Sequence, residues 1–253
     1  MTMKNKLIVA LDVETSADAQ RLVDTLRGIA GMFKIGSQLF TSAGPAFVRE
    51  IVSSGERVFL DLKFHDIPNT VAAAGVEAMR LGVSIFNVHA AGGSEMMRRT
   101  AGTVAESAEA EGRTRPSIIA VTVLTSANQI MLNEVGWSAT PENMVRRLSL
   151  LAETAGMDGV VASPHEVGIV RSTVKTPGFI VVTPGVRPAG VALDDQIRVT
   201  TPLEAITAGV DYLVVGRPII EAPDPARAAL QIIEEMETGS TGNIAKVREL
   251  GVS

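Results

Sequence analysis

Within the segment LDLKFHDIPNT, residues 60–70, charged side chains stand at a spacing suited to proton transfer. Asp61 and Lys63 are two residues apart, and Asp66 follows beyond them. If 57–64 is a strand, successive side chains alternate, so Asp61 and Lys63 share a face with Phe59 while Leu60, Leu62 and Phe64 share the other. With the apolar set packed against helices, the charged pair points into a core, where charges are costly unless they find partners. Asp66, past the strand, is placed to bring a second carboxylate to the same ammonium. A structural ion pair accounts for one Asp and one Lys. A carboxylate, an ammonium and another carboxylate, with Asp12 and Lys34 nearby, reads as a charge array built for chemistry.

Two later segments suggest an anion site. TPGVRP (183–188) and VVGRPI (214–219) bring Gly185 close to Arg187 and Gly216 next to Arg217. Backbone N–H groups at such turns, with a short helix start, bind phosphate. The plainer alternative is two turn glycines and two exposed arginines. Other signals are weaker. His65, His89 and His165 lack metal-ligand spacing. Ser163 with His165 could pair as nucleophile and base, but no orienting acid is evident. The methionines scatter as core fillers, and Trp137, in a long loop, is placed either to cover a mouth or to make a plain surface contact.

The elements that would position these residues emerge from periodicity. Short apolar, β-branched runs occupy 7–13, 32–36, 57–64, 84–90, 117–124, 159–163, 179–186 and 212–219. Between them, amphipathic patterns predict helices over 16–29, 45–52, 70–81, 94–111, 144–155, 164–171, 202–208 and 225–236. Asp224 before Pro225 is a helix start, and Gly156 and Gly209 sit where helix ends need positive φ. Near-continuous apolar strands between helices indicate a parallel sheet covered on its faces. Eight such units fit a closed (β/α)8 TIM barrel; the doubly wound alternative lacks a G-x-G-x-x-G after the first strand. Residues 125–141 are too long for a tight loop and read as an excursion over one mouth. Asp12, Lys34, Asp61 with Lys63, His89, Thr125, Ser163, Arg187 and Arg217 each fall at or just past the carboxyl end of a different strand, hence on one rim. Sites of this architecture are built there.

Composition bounds the rest. The 253 residues contain no cysteine and carry a formal charge of −5. That removes thiol nucleophiles, Cys-ligated metals and disulfides, and argues against generic binding to nucleic acid or an anionic membrane. A chain this long buries roughly 70–75% of its unfolded surface and needs no staple. Residues 7–11 are too short an apolar run for a signal segment, and no run is long enough to span a bilayer. The expectation is a cytoplasmic protein with one domain over 1–253.

The segments LIVALDV, FKIG, DLKFHDIPNT, NVHAAGG, VTVLTS, TPGVRP and VVGRPI, in this order, resemble the short bacterial type of the orotidine 5′-phosphate decarboxylase family over essentially the whole chain. The D-x-K-x-x-D-I-P-N-T block is the most specific part. The resemblance implies that Lys63 is the general acid that protonates the pyrimidine carbon as carbon dioxide leaves, with Asp61 and Asp66 as charged neighbours. It implies ribose contacts for Asp12 and Lys34, a pyrimidine contact for Thr125, and phosphate contacts for Arg187, Gln196, Gly216 and Arg217. It further implies a homodimer in which Asp66, Ile67 and Thr70 reach the partner subunit's site, with no cofactor and no metal.

The implied chemistry suits the array. Loss of the carboxylate leaves a carbanion in the ring plane, where the ring carbonyls cannot delocalise it, so fixed electrostatics must stabilise it. Two rivals stay open. Magnesium-dependent sugar-phosphate lyases and aldolases share the D-x-K-x-x-D barrel, but hold their metal with an acid where this chain has Lys34, which would repel a cation. A non-catalytic phosphate-binding barrel would keep Arg187 and Arg217 but has no need of the charge array.

Overall fold

The computed structural model describes residues 2–187 and 200–249. Its strands β1 (Leu7–Ala10), β2 (Met32–Gly36), β3 (Val58–Phe64), β4 (Ile85–His89), β5 (Ser117–Val121), β6 (Gly159–Val161), β7 (Ile180–Pro184) and β8 (Tyr212–Val215) close into a barrel in sequence order. All neighbours pair in parallel, and β8 returns to β1 through Leu7↔Leu213. The fold is the expected (β/α)8 barrel.

Strand alternation divides the apolar residues into two populations. Ile8, Met32, Phe59, Ile85, Ile119, Val182 and Tyr212 fill the barrel interior. Leu7, Val9, Phe33, Leu60, Phe86 and Val160 face outward into the larger core shared with the helices. Gly159, at the start of β6, is a close approach: a Cβ there would lie 2.2 Å from Ile180 O on β7.

The helices α1 (Met3–Lys6), α2 (Ser16–Leu26), α3 (Ser37–Ser53), α4 (Pro68–Arg80), α5 (Gly93–Ala110), α6 (Gln129–Glu134), α7 (Pro141–Thr154), α8 (Val167–Thr173), α9 (Pro202–Thr207), α10 (Arg217–Ile220) and α11 (Pro225–Glu249) connect and cover the strands. Local chemistry sets their starts. Thr140 and Thr201 accept the N–H groups of Asn143 and Glu204 ahead of Pro141 and Pro202, and Asp224 accepts from Arg227 N–H at 3.0 Å ahead of Pro225. Gly156 and Gly209 follow α7 and α9 at φ 80° and 97°.

Several boundaries differ from the periodic reading. The predicted helix at 45–52 is only the second half of α3, because Gly44 (φ 69°) kinks one continuous segment rather than starting it. The excursion at 125–141 contains α6, capped by Asn128, which accepts Met131 N–H at 3.0 Å. Residues 217–219, read as strand, instead form α10, since Gly216 (φ −112°, ψ −104°) leaves the extended region. Trp137 is half-buried and packs against the core. Among the described residues, no helix is long and apolar enough to cross a membrane.

Candidate active site

At the carboxyl ends of the strands the apolar filling gives way to a cavity of about 420 Å³. Ala10, Phe59, Val121, Val182 and Val214 make its apolar lining. Strands β1 to β3 and their ends contribute Asp12, Lys34, Asp61 and Lys63. The segments after β5, β7 and β8 contribute Thr125, Arg187, Gly216 and Arg217. Eight of the sequence-predicted residues thus share one cavity.

The four charged residues form a continuous chain. Lys34 Nζ lies 2.9 Å from Asp12 Oδ1 and 3.4 Å from Asp61 Oδ2, and Lys63 Nζ lies 2.7 Å from Asp61 Oδ1. Lys34 is only 8% exposed. An ammonium so placed is tolerable because carboxylates flank it on two sides. Gly36 makes room: a Cβ there would stand 3.1 Å from Lys34 Nζ. The order Asp12, Lys34, Asp61, Lys63 alternates in sign, so each charge is held by its neighbours before any ligand arrives.

Lys63 carries a further peculiarity. Among the described residues it is the only non-glycine with positive φ, at 52°, a conformation that costs about 1–3 kcal/mol for such a residue. The register between β3 and β4 shifts between Leu60 and Phe64, so the lysine sits in a local irregularity of the strand. Its backbone N–H donates to Asn87 Oδ1 at 2.8 Å, and Asn87 Nδ2 donates to Asp61 Oδ1 at 2.7 Å. Sequence reasoning missed Asn87. The signal was present: in IFNVH, Asn87 stands between Ile85 and His89 on the inward-facing phase of β4, where an amide needs a polar partner.

Asp66, Ile67 and Thr70 are exposed and do not line the cavity. The expectation that Asp66 brings a second carboxylate to Lys63 is not met within the chain. Past Phe64 the chain leaves the sheet, and Asp66 turns back to accept Ile67 N–H at 2.6 Å beside the start of α4. Gln196 lies outside the described residues. Arg187, read alternatively as exposed, is 4% exposed, and its N–H donates to Thr200 O at 3.1 Å.

Of the weaker signals, His89 is half-buried and lies beside His65, with ring centroids 5.5 Å apart and the planes tilted by 35°. Burial, then the nearby His65 and Lys63, lower its pKa below the usual 6.5, against a smaller opposing pull from Asp61. Ser163 and His165 do not form a nucleophile and base pair: Ser163 N–H donates to Glu166 Oε2 at 2.9 Å, and His165 Nε2 lies 3.4 Å from Thr200 Oγ1. Among the described residues, no group of three His, Asp or Glu is placed to hold a metal ion.

The site can hold an anion at its arginine side and set the half-buried Lys63 ammonium against a reacting atom at its β3 side. Residues 5–232 match the sequence model of the orotidine 5′-phosphate decarboxylase / HUMPS family. The chain is 54% identical over 236 residues to an orotidine 5′-phosphate decarboxylase of Geobacter sulfurreducens, covering 93% of this chain and 98% of that one. It is 55% identical over 238 residues to one from Moorella thermoacetica, covering 94% of each. Among solved structures, orotidine 5′-phosphate decarboxylase from Lactobacillus acidophilus superposes with a TM-score of 0.79 at 34% identity, over 91% of this chain and 98% of that one. An uncharacterized conserved protein from Geobacillus kaustophilus gives 0.76 at 36% identity, over 91% and 99%.

Proposed function

The chain belongs to the orotidine 5′-phosphate decarboxylase / HUMPS family, and from that premise we propose how its cavity works. It decarboxylates orotidine 5′-phosphate to uridine 5′-phosphate in pyrimidine biosynthesis. The observation that carries the mechanism is the charge chain from Asp12 to Lys63, set in one cavity with Arg187 and Arg217.

Arg187, Gly216, Arg217 and Gln196 hold the phosphate, Asp12 and Lys34 the ribose hydroxyls, and Thr125 the pyrimidine. When the bond from the ring to the carboxylate breaks, its electron pair stays on the ring carbon and carbon dioxide departs. The Lys63 ammonium, already held by Asp61, faces that developing charge without having to reorganise. It then gives its proton to the carbon, and the neutral amine is reprotonated from solvent. No cofactor enters this reading. Lys34, 3.4 Å from Asp61 Oδ2, puts positive charge where a lyase of the magnesium-dependent kind would need a ligand, and this favours the metal-free reaction.

Two copies of the chain complete each other's sites, with Asp66, Ile67 and Thr70 reaching across. Their exposure on the segment next to Lys63 supports this, Ile67 being 66% exposed. The protein acts as one domain in the cytoplasm, on a small nucleotide rather than on nucleic acid. The test follows the orotidine 5′-phosphate absorbance with purified protein, with and without excess EDTA. Turnover unaffected by EDTA is expected; turnover only with magnesium and a sugar-phosphate substrate, or none, would overturn the reading.

A further inference from the structure

We infer that Asn87 is a positioning residue for Lys63, setting both its backbone and the carboxylate that holds its ammonium. The inference rests on the decarboxylase reading above and goes beyond it by assigning a residue outside the charge array. Asn87 is fully buried on β4. Its amide joins two groups that would otherwise be independent. Oδ1 accepts the Lys63 N–H at 2.8 Å, and Nδ2 donates to Asp61 Oδ1 at 2.7 Å, the same oxygen that receives Lys63 Nζ at 2.7 Å.

The backbone half of this clamp answers a specific need. At φ 52°, Lys63 departs from the extended conformation of β3, and the β3–β4 ladder loses its regular register there. An N–H displaced from the ladder and left unpaired in a buried site is unfavourable, and Asn87 supplies the acceptor. The side-chain half fixes the carboxylate. A donor on Asp61 Oδ1 restricts its rotation, so the ammonium meets a carboxylate that points one way. Remove the amide, and Lys63 is free to relax towards ordinary strand geometry, which carries its Nζ away from the reacting carbon. Misplacement on the scale of an ångström costs about 10²-fold in rate. Binding of the nucleotide, through the arginines and the ribose contacts, is left in place.

The groups that face this position are Asp61 and Lys63 on β3, Lys34 on β2 behind Asp61, His89 on β4 and His65 after β3, while on the β5 side Asn87 pairs with Ile119, which carries no charge. This makes Asn87→Asp informative. The substitution preserves shape and the acceptor for Lys63 N–H, but the new carboxyl donates to Asp61 only when protonated. Sharing a site with a carboxylate raises its pKa.

Wild-type turnover is measured first; its absence would remove the decarboxylase reading and this inference with it. With wild type active, Asn87→Ala is expected to lower kcat by about 10²-fold while KM and the Kd for uridine 5′-phosphate stay within about threefold. Asn87→Asp is expected to gain kcat relative to wild type as pH falls. A folded Asn87→Ala with kcat within about threefold of wild type, or one that loses nucleotide binding along with kcat, would overturn the inference. Should Asn87→Ala fail to fold, the pH profile of Asn87→Asp decides: a profile parallel to wild type refutes the clamp. Loss of folding in both variants counts against it too, because it makes Asn87 a residue of the core alone.

Discussion

Lys63 holds its ammonium 2.7 Å from Asp61 Oδ1, on the same strand and two residues along, while its own backbone turns to φ 52°. In a regular strand, residues two apart lie side by side and point the same way. Here the departure from regularity, together with the Lys34 contact to the other oxygen of Asp61, leaves an ammonium that is held in place before substrate binds. The predictions below follow from that arrangement and from the arginine side of the same cavity.

Arg217 opens α10 beside Gly216 and lines the cavity with Lys63. Binding energy from a remote phosphate can be used to orient the ring as well as to hold the substrate. Arg217→Ala is therefore expected to lower kcat and raise KM together, with kcat/KM falling about 10 to 10²-fold, the range of a hydrogen bond to a charged group. Steady-state kinetics check this. A raised KM with unchanged kcat would limit the arginine to uniform binding.

His89 should titrate below 6.5 in the folded protein, since burial and its neighbours oppose its charge. The sign for stability follows from linkage. As pH falls through 6.5 the unfolded chain takes up this proton before the folded one does, so the contribution is complete above that value and is lost on acidification. NMR of the imidazole should give a midpoint below 6.5, and His89→Gln should lessen the fall in melting temperature between neutral and mildly acidic pH. A midpoint at or above the usual value would mean that burial and its neighbours do not oppose the charge of His89.

Mixing Lys63→Ala chains with Asp66→Asn chains tests whether sites are shared. Each parent should be nearly inactive. If Asp66 serves the partner's site, every mixed dimer regains one site built from the two unaltered residues, so random exchange restores about a quarter of wild-type activity. No recovery on mixing, with exchange verified by mass spectrometry, would place both residues in one subunit's site.

The barrel was legible because its signal is repeated. Each strand is a short β-branched run, each is followed by an amphipathic helix, and the polar residues fall at one end of every run. Asp12, Lys34, Asp61 and Lys63 were readable for the same reason: alternation fixed which face of β3 they share, and the rim brought them together. What periodicity could not convey were the departures from it. The positive φ of Lys63 lies inside a run that reads as plain strand, the kink at Gly44 lies inside a helix read as starting later, and α10 replaces the end of an apolar run. Asn87 was overlooked because a single amide in an apolar strand has no partner within the sequence window; its partners sit 24 and 26 residues away on β3. Asp66 does not meet Lys63 within its own chain because spacing measures distance along the chain, whereas its exposed position after β3 depends on where the strand ends.

The most direct test of the account compares single-turnover decarboxylation by wild type and Lys63→Ala at saturating orotidine 5′-phosphate, with uridine 5′-phosphate binding measured on both. The account predicts that the variant still binds nucleotide but that its chemical step slows by about 10³-fold or more, the combined loss of a general acid and a preorganised charge. A chemical step within about tenfold of wild type would mean that Lys63 is not the proton donor and that the charge chain serves only the structure.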